Sequence, residues 1–327
     1  MKFRNFSNLN WQVSEIGLGC WAIGSEWGDV SASDAREVLK KSLDNGINFF
    51  DTADVYGDGR SEKFVGELIK STSEKIYVAT KAGRRLNPHT PEGYNHKNIE
   101  DFIDRSLVNL GVECIDLLQL HCPPSETCSR VDTYEMMDEI VKKGKIANYG
   151  VSVEKVSEAM DAIQFPNVKS IQIIFNIFRQ KPNEEFFKEA ANKNVAIIAR
   201  VPLASGLLTG KMNKESLFPE NDHRNYNING EAFDVGETFS GVDYKKGLEA
   251  VERLKEFIPS HFTLTDLALK WILMHREVSV VIPGAKNKLQ ASNNVKASEL
   301  NEIDSITMFK INLVYDDLIK QDIHHRW

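Results

Sequence analysis

Disulfide bonds, targeting segments and membrane spans are the features that this sequence gives least reason to expect. Its four cysteines, Cys20, Cys114, Cys122 and Cys128, form no CxxC pair and are too sparse for a disulfide framework. The first residues, MKFRNFSNLNW, contain no apolar signal-peptide core, and no run of about 18 apolar residues occurs. These absences argue against a disulfide-rich secreted domain and a helical membrane protein. They predict a chain that works in the reducing cytoplasm.

Excess positive charge and metal-ligand patterns are also lacking. The 40 Lys and Arg residues are outnumbered by 47 Asp and Glu residues, and the net charge is −7. This balance argues against nucleic acid and against membrane surfaces as partners. No HxH motif follows the first predicted strand, and His89, His96 and His121 show no metal-site spacing. We therefore expect no metal ion and reject a metal-dependent barrel hydrolase.

A glycine-rich phosphate turn is missing as well. A doubly wound nucleotide-binding sheet carries such a turn after its first strand. The nearest candidate here is GLGCWAIG at 17–24, which places Trp21 and Ile23 where a phosphate would have to approach the backbone closely. The sequence therefore favours a different arrangement of strands and helices.

Short apolar strands alternate regularly with amphipathic helices along the chain. A hairpin is expected at 3–13, Ser61 is the expected N-cap of one helix, and Gly111 is the expected C′ glycine of another. The predicted strands lie at 14–20, 48–52, 76–81, 114–121, 146–151, 168–175, 195–199 and 278–282. Continuous apolar strands separated by helices indicate a parallel sheet. The repetition predicts an α/β fold, a (β/α)8 TIM barrel with an N-terminal β-hairpin, as a single domain over 1–327.

Chemically distinctive residues follow three successive predicted strands. Asp51 ends one strand and Tyr56 lies in the loop just beyond it, Lys81 ends the next strand, and His121 ends the third. Because the carboxyl ends of parallel barrel strands form one rim, and barrel active sites lie there, these four side chains should meet. Asp51 is expected to hold the Lys81 ammonium. Lys81 is expected to lower the phenol pKa of Tyr56 from about 10 toward the working pH, so that Tyr56 serves as a general acid–base.

Six motifs resemble the signatures of the aldo-keto reductase family, including its bacterial-type and potassium-channel β-subunit-like branches. They are DTADVYG at 51–57, ATKAG at 79–83, LLQLHCPP at 117–124, YGVS at 149–152, GLLTGK at 206–211 and VVIPGAKNKLQASNNV at 280–295. The resemblance implies a barrel without a Rossmann domain and a nicotinamide cofactor, usually NADPH with NAD not excluded, extended across the rim. It implies reduction of an aldehyde or ketone, with Asp51, Tyr56, Lys81 and His121 as the catalytic tetrad and Tyr56 as proton donor.

The same resemblance implies contacts around the nicotinamide. Ser152 and Gln172 match the residues that hold its amide, whereas Val153 stands where relatives have an asparagine; Asn176 is a candidate replacement. Many relatives stack an aromatic side chain on the ring at the seventh strand end. This chain has Arg200 there, and its guanidinium can stack on the ring or reach a phosphate or an acidic substrate.

The rest of the cofactor is expected to follow two further segments. Small residues in the first permit close backbone approach to the pyrophosphate, and the expected contacts are Leu203, Ser205, Gly206, Leu208 and Lys211. In the second, Gly284 and Lys286 open a helix whose N-terminus suits an anion, and Lys286 is the candidate partner of a 2′-phosphate. Gln290, Asn293 and Asn294 are the expected ribose and adenine contacts.

The substrate pocket is expected to include Trp21, Trp27 and Val55, with Trp327 as a further candidate. Loops at 22–30, 123–132 and 212–240 should set specificity, although they do not identify a particular small-molecule carbonyl compound. The alternative function is a cofactor-binding regulatory subunit of another protein with weak reductase activity. Turnover across an aldehyde panel separates the two functions, and the oligomeric state stays open.

Overall fold

Strands and helices alternate along the chain in this computed structural model, which describes residues 1–24 and 27–327. Ser25 and Glu26, in the predicted loop at 22–30, lie outside the described residues. Within the described part of the chain the strands β1 to β10 are Phe3–Phe6, Trp11–Ser14, Leu18–Gly19, Phe49–Asp51, Tyr77–Ala82, Leu117–His121, Tyr149–Ser152, Val168–Ile174, Ala196–Arg200 and Val278–Val281. The helices α1 to α13 are Trp21–Gly24, Ala32–Asp44, Arg60–Ser71, His96–Leu110, Val131–Lys142, Val156–Ala162, Phe186–Asn192, His223–Tyr226, Tyr244–Lys255, Leu264–Leu273, Lys288–Asn294, Ser305–Leu318 and Lys320–Ile323.

The strands β3 to β10 form one parallel sheet in which each strand pairs with its neighbours along the chain. Parallel bridges from Ile16 to Val281 and from Gly19 to Gly284 join the two outer strands and close the sheet into a barrel. The strands β1 and β2 pair separately as an antiparallel hairpin. The prediction of a (β/α)8 TIM barrel with an N-terminal hairpin is confirmed.

Side chains that point into the barrel change from apolar to polar along the strands. At the amino-terminal end the hairpin residue Phe6 stacks on Phe49 at 5.4 Å between ring centroids, and Trp11 stacks on Tyr77 at 4.5 Å. These rings close the bottom of the barrel. Further along β4 and β5 the inward positions hold Asp51 and Lys81, and the barrel fold therefore delivers charged groups to its carboxyl rim.

The structure confirms one of the two predicted helix caps and contradicts the other. Gly111 ends α4 in the left-handed region, at φ 65°, and its N–H donates to Leu107, as predicted for a C′ glycine. Ser61 is not an N-cap, because α3 begins at Arg60 after Gly59. The buried Ser61 hydroxyl instead donates to the main-chain oxygen of Cys20 and accepts from Thr52, which ties α3 to two strand exits.

The connection at 206–241 folds back over the rim through short turns and the helix α8. Two helices beyond it, α9 and α12, were not identified from the sequence and pack against each other. In α9 the buried face includes Gly247 and Ala250, and such small residues weaken the apolar signal of the pattern. In the described part of the chain, no helix is both long enough and apolar enough to cross a membrane.

Candidate functional site

Three residues of the predicted tetrad meet at the carboxyl ends of β4 and β5. The Lys81 Nζ atom lies 2.5 Å from Asp51 Oδ1 and donates to the Thr52 main-chain oxygen at 2.7 Å. The same ammonium is 3.3 Å from the Tyr56 hydroxyl. Lys81 is completely buried and Asp51 nearly so. A buried ammonium that contacts both a carboxylate and a phenol thus lies at the carboxyl end of the barrel, below the cavity.

The protonation states of this cluster differ from one expectation. Burial disfavours the charged ammonium, but the attraction of Asp51 and Tyr56 outweighs it and raises the pKa of Lys81. Burial also raises the pKa of Tyr56 to about 12, because the lowering effect of Lys81 is smaller than the cost of desolvating a phenolate. The expectation that Lys81 lowers this phenol pKa from about 10 toward the working pH is therefore wrong, because the pKa is raised overall. At neutral pH, Tyr56 carries its proton.

Two buried amides hold the second carboxylate oxygen of Asp51. Nε2 of Gln172 donates to Asp51 Oδ2 at 2.7 Å, and Nε2 of Gln119 donates to the same atom at 3.0 Å. Gln172 lines the cavity as expected for a cofactor contact, but its Nε2 is already used, while its Oε1 is 3.5 Å from Ser152 Oγ. Gln119 was not identified from the sequence. A single polar residue at an inward position of LLQLH was the available signal.

His121 completes the predicted tetrad at the end of β6. It is 3% exposed, and its ring lies edge-on to Tyr56 with 6.0 Å between centroids. Burial, with the nearby charges of Arg84 and Lys81, holds the pKa of His121 well below its usual value. Its Nδ1 atom has no hydrogen-bond partner among the described residues. That atom is buried, but the residue lines the cavity, where the remainder of a neutral imidazole ring can meet the oxygen of a small molecule beside Tyr56.

A cavity of about 1070 Å³ opens above this cluster. Most of the predicted site residues line it, namely Asp51, Tyr56 and His121; Ser152, Gln172, Arg200, Leu203, Ser205, Gly206 and Lys211; Gly284, Lys286, Gln290, Asn293 and Asn294; and Trp21, Trp27 and Val55. Lys81 is buried below it. Leu208 does not line the cavity, because its side chain is fully buried in the hydrophobic core. Thr209 and Met212, from the same segment, line the cavity instead.

Two cations at the cavity wall share one buried carboxylate. Arg224 donates to Asp222 through Nε at 2.8 Å and Nη2 at 2.6 Å, and Lys286 Nζ lies 3.8 Å from the same carboxylate. Burial disfavours the charged carboxylate, but Arg224 holds the pKa of Asp222 below its usual range. Two positive charges against one negative charge leave this wall suited to an anion such as a phosphate. Arg224 was not identified from the sequence, although the long connection at 206–241 contains it.

The helix that follows Lys286 offers less to an anion than the sequence suggested. The Lys286 main-chain N–H already donates to Gln290 Oε1 at 2.7 Å, and the Gln290 N–H donates to Asn287 Oδ1 at 3.0 Å. Asn294 donates to the Gly284 main-chain oxygen at 3.1 Å. These contacts occupy two of the amides at the helix entrance. The side chains of Lys286 and Arg224 are therefore the stronger candidates for holding a negative group.

Arg200 is held by protein groups rather than left free to reach an anion. Its guanidinium is 2.5 Å from Glu237, 3.0 Å from Glu154 and 3.0 Å from the Val153 main-chain oxygen. Burial disfavours the charged guanidinium, but both carboxylates raise its pKa well above the usual value. Cys122 joins the two glutamates in a group whose potential ligand atoms lie within 4.8 Å of one another. Because the guanidinium contacts all three, we assign these residues to Arg200 rather than to a metal ion.

Asn176 does not replace the missing asparagine at Val153. Its side-chain amide donates to the Val201 main-chain oxygen at 2.9 Å and to Ser240 at 2.8 Å, and its oxygen accepts from the Phe178 N–H at 2.9 Å. It is fully buried and does not line the cavity. The suggested nicotinamide contact from Asn176 is therefore wrong, because this residue fixes a turn of the chain.

Aromatic rings cover the cavity beside Tyr56. Trp21 stacks on Tyr56 with 5.9 Å between centroids, and Trp27 contacts Trp21 edge-on at 5.5 Å. Phe233, which was not identified from the sequence, adds a third aromatic residue at 5.9 Å from Trp21. It belongs to the predicted specificity loop at 212–240, which lines much of the cavity.

The predicted specificity loop at 123–132 does not line the cavity. It forms the short helix Ser125–Ser129, and Ser125 donates to Glu158 of α6 at 2.6 Å, which directs the loop toward that helix. Arg84 and His89, from the loop after β5, line the cavity instead. The wall near His121 is therefore more polar than the sequence suggested.

Known proteins resemble both the sequence and this barrel. A model described as "Aldo/keto reductase family" matches residues 15–315. The chain is 28% identical over 302 residues to "Aldo-keto reductase yakc [NADP(+)]" of Schizosaccharomyces pombe, covering 90% of this chain and 86% of that protein. It is also 28% identical over 316 residues to "Probable voltage-gated potassium channel subunit beta" of Arabidopsis thaliana, covering 92% of each.

A solved structure agrees with these sequence matches. The aldo-keto reductase AKR11C1 from Bacillus halodurans, in its holo form, has a TM-score of 0.76 and 28% identity, covering 96% of both chains. The family match begins before β3 and ends within α12, so it includes every barrel strand and the whole cavity rim. The chain therefore belongs to the aldo/keto reductase family.

Proposed function

We propose that this protein is an NADPH-dependent reductase that converts an aldehyde or ketone into an alcohol. The observation that carries this proposal is the contact between Tyr56 and the buried Lys81–Asp51 pair on the cavity floor. It supplies a protonated phenol beside a fixed positive charge, in a cavity large enough for a cofactor and a small substrate. A nicotinamide cofactor would supply the hydride.

The residues of this chain then have the task of moving a proton and orienting a carbonyl group. Tyr56 donates its proton to the carbonyl oxygen, and Lys81 stabilises the phenolate that this transfer leaves. Asp51 keeps Lys81 charged and fixed, and the two amides of Gln119 and Gln172 hold Asp51 in turn. The neutral ring of His121 orients the same oxygen from the other side. Aromatic cover from Trp21 excludes water from the reacting atoms.

The preference for NADPH over NADH rests on the cationic wall of the cavity. Arg224 and Lys286 together carry one more positive charge than Asp222 neutralises, and both line the cavity. A 2′-phosphate fits this imbalance, whereas a 2′-hydroxyl gains much less from it. The remaining predicted contacts that line the cavity then border the pyrophosphate and the adenosine, namely Leu203, Ser205, Gly206, Lys211, Gly284, Gln290, Asn293 and Asn294. A cytoplasmic location, favoured by four free thiols, belongs to the same proposal.

Equilibrium binding and turnover test this proposal together. The protein is titrated with NADPH and with NADH while cofactor or protein fluorescence is recorded, and steady-state oxidation of NADPH is then followed with a panel of aldehydes and ketones. We expect tighter binding of NADPH and multiple turnovers with at least one carbonyl substrate. Binding of NADH as tight as that of NADPH would contradict the role of Arg224 and Lys286. Absence of turnover across the panel would contradict the enzymatic function.

A cofactor-binding regulatory subunit is the second candidate function. The similarity to a plant protein named as a probable potassium channel subunit beta favours it. A complete tetrad is compatible with either function, because a regulatory subunit with weak reductase activity also needs a cofactor site. Tight NADPH binding without turnover would support this candidate over the first.

A further inference from the structure

Two arginines and two glutamates form a closed ring at the cavity wall. Glu154 contacts Arg84 at 3.2 Å through Oε1 and Arg200 at 3.0 Å through Oε2. Glu237 contacts Arg84 at 3.4 Å through Oε1 and Arg200 at 2.5 Å through Oε2. Each glutamate therefore contacts Arg84 through one oxygen and Arg200 through the other, and the two positive and two negative charges balance. We call these four residues the ionic ring.

The ionic ring joins four separate segments of the rim. Arg84 follows β5, Glu154 follows β7, Arg200 ends β9, and Glu237 belongs to the long connection at 206–241. The first three are anchored on barrel strands. Glu237 lies in a loop, so its position depends on whatever fixes that loop. Because Glu237 makes the shortest contact to Arg200, the loop governs how Arg200 is held.

The indole of Trp327 packs against this loop from outside the cavity. Its Nε1 donates to Asp234 Oδ1 at 3.1 Å, and it is only 7% exposed. Asp234 also accepts from the Gly236 N–H at 2.7 Å, which caps the single helical turn Val235–Glu237. A fixed Asp234 therefore fixes the turn that ends at Glu237.

Two glycines of the loop provide the space for this indole. A Cβ atom on Gly241 would collide with the indole ring, and a Cβ on Gly236 would come within 3.0 Å of its Cζ2 atom. Gly241 also has φ 75°, in the left-handed region that disfavours other residues. The loop backbone thus lies directly against Trp327, which makes the contact sensitive to the size of that side chain.

A second connection links Trp327 to the other glutamate of the ionic ring. The Arg179 guanidinium stacks over the indole at 3.8 Å from the ring centroid. Its Nη2 atom donates to the main-chain oxygen of Glu154 at 2.6 Å. Burial lowers the pKa of Arg179 to about 10, and it stays charged at neutral pH. Trp327 therefore contacts Asp234, which fixes the turn that ends at Glu237, and Arg179, which binds the main chain of Glu154.

We propose that Trp327 is a positioning residue, which fixes the 234–241 segment so that Glu237 and Glu154 hold Arg200 in place at the cavity wall. This inference rests on the proposed function, because it assigns the held arginine to the binding of cofactor and carbonyl substrate. Trp327 does not line the cavity and touches no reacting group. Its loss affects binding through Arg200, whereas the Tyr56, Lys81 and Asp51 cluster keeps its geometry.

Four variants and one control variant separate positioning from general stability. Trp327→Ala removes the ring, and Trp327→Phe keeps an aromatic face for Arg179 but loses the N–H bond to Asp234. Glu237→Gln removes the carboxylate charge that pairs with Arg200. The double variant Trp327→Ala/Glu237→Gln tests whether the effects of Trp327 and Glu237 on binding are coupled. Tyr315→Phe is the matched control, because its hydroxyl bonds to His324 in the same C-terminal region and not to the 234–241 segment.

Kinetics and amide hydrogen exchange are the two measurements. For Trp327→Ala we expect the NADPH Kd and the carbonyl KM to rise by about tenfold while kcat changes less than about threefold. Trp327→Phe should show a smaller rise in the same constants, and Tyr315→Phe none. The double variant should be no worse than Glu237→Gln alone. In the protein without cofactor, exchange at 236–241 should accelerate in Trp327→Ala and stay at the wild-type rate in Tyr315→Phe.

The outcomes that overturn this inference differ from those that overturn the proposed function. Wild-type Kd and KM in Trp327→Ala, additive losses in the double variant, or unchanged exchange at 236–241 would each overturn the positioning role. A wild-type protein that binds no nicotinamide cofactor and reduces no carbonyl would overturn the proposed function instead. The exchange experiment needs no activity, so it still decides whether Trp327 fixes the segment.

Discussion

The main-chain oxygen of Val153 accepts a hydrogen bond of 3.0 Å from the guanidinium of Arg200. These two positions are the ones where the nicotinamide end of the site departs from the pattern expected of relatives, and the structure shows that they touch. The acceptor is a main-chain oxygen, so this bond depends on the arginine at position 200 and not on the side chain at position 153. Arg200 therefore ties the end of β9 to the residue that follows β7.

Replacing Arg200 by an aromatic residue should destabilise the protein severely. Arg200→Phe leaves Glu154 and Glu237 buried without their main partner, and removing one member of a buried ion pair costs about 3–5 kcal/mol. Urea denaturation should show this loss of unfolding free energy. The double variant Arg200→Phe/Glu237→Gln should recover most of it, because it leaves Arg84 paired with Glu154 and the charges balanced. A single variant as stable as the wild type would show that the ionic ring contributes little.

The rate of carbonyl reduction should be nearly independent of pH between about 6 and 9. The acid form of Tyr56 is needed for reduction, and a pKa raised to about 12 keeps it protonated over this range, so the rate is lost only as pH rises toward that value. His121 stays neutral because its pKa is well below the usual value. Profiles of kcat against pH check this. The buried Asp54 has a pKa raised to about 7, so the profile is also recorded in Asp54→Asn. A fall in rate with a midpoint near pH 7 that persists in this variant would contradict the prediction.

Lys286→Met should weaken NADPH far more than NADH. The variant removes one of the two cations beside Asp222 and leaves Arg224 neutralised by that carboxylate. We expect the NADPH Kd to rise by about tenfold or more, the size of a lost charge-assisted contact, and the NADH Kd to change less than about twofold. Fluorescence titration measures both. Lys288→Met is the control, because Lys288 pairs with Glu37 and does not line the cavity. If the variant weakens the binding of NADPH and NADH equally, the 2′-phosphate does not bind at Lys286.

Asp54→Asn should stabilise the protein more at pH 8 than at pH 5. Asp54 is fully buried, and neither carboxylate oxygen has a hydrogen-bond partner among the described residues. Burial, with the nearby charge of Glu62, raises the pKa of Asp54 to about 7, although Arg85 and Arg105 act in the lowering direction. Because the pKa of Asp54 is higher in the folded protein than in the unfolded chain, the wild type loses unfolding free energy as pH rises toward 7. Asparagine does not ionise, so the variant does not suffer this loss.

The size of this effect follows from the interval between the two pKa values. The unfolding free energy gained by Asp54→Asn should grow by about 2–3 kcal/mol between pH 5 and pH 8, from about 1.4 kcal/mol per pKa unit. Urea unfolding of both proteins at the two pH values gives this difference directly. A gain that is equal at both pH values would mean that Asp54 ionises normally.

The barrel and most of the site residues could be predicted because their signals are local. A strand end is marked by the residue that follows an apolar run, and Asp51, Lys81 and His121 are each in such a position. Barrel geometry then brings them together without further information. The starts of strands were predicted less accurately than their ends. The Asp116 carboxylate, just before β6, accepts the Val78 N–H at 3.0 Å, and the strand begins at Leu117 rather than at the predicted position 114.

The polar surroundings of the site could not be predicted because their partners are far apart in sequence. Arg84 and Glu237 are separated by 153 positions, and Arg200 and Glu154 by 46. Each looks like an ordinary charged loop residue until the fold places it. The prediction of the Tyr56 pKa was wrong for a related reason, because the sequence showed the nearby lysine but not how deeply the phenol is buried. Gln119 was hidden within an apolar run.

Tyr56→Phe tests the assignment of the proton donor most directly. The variant keeps the ring that stacks on Trp21 and removes only the hydroxyl beside Lys81. We predict that it binds NADPH with the wild-type Kd and that kcat for the best carbonyl substrate falls by at least about 100-fold, the usual contribution of a positioned general acid. Retention of wild-type kcat with the same Kd would contradict the assignment of Tyr56 as the acid.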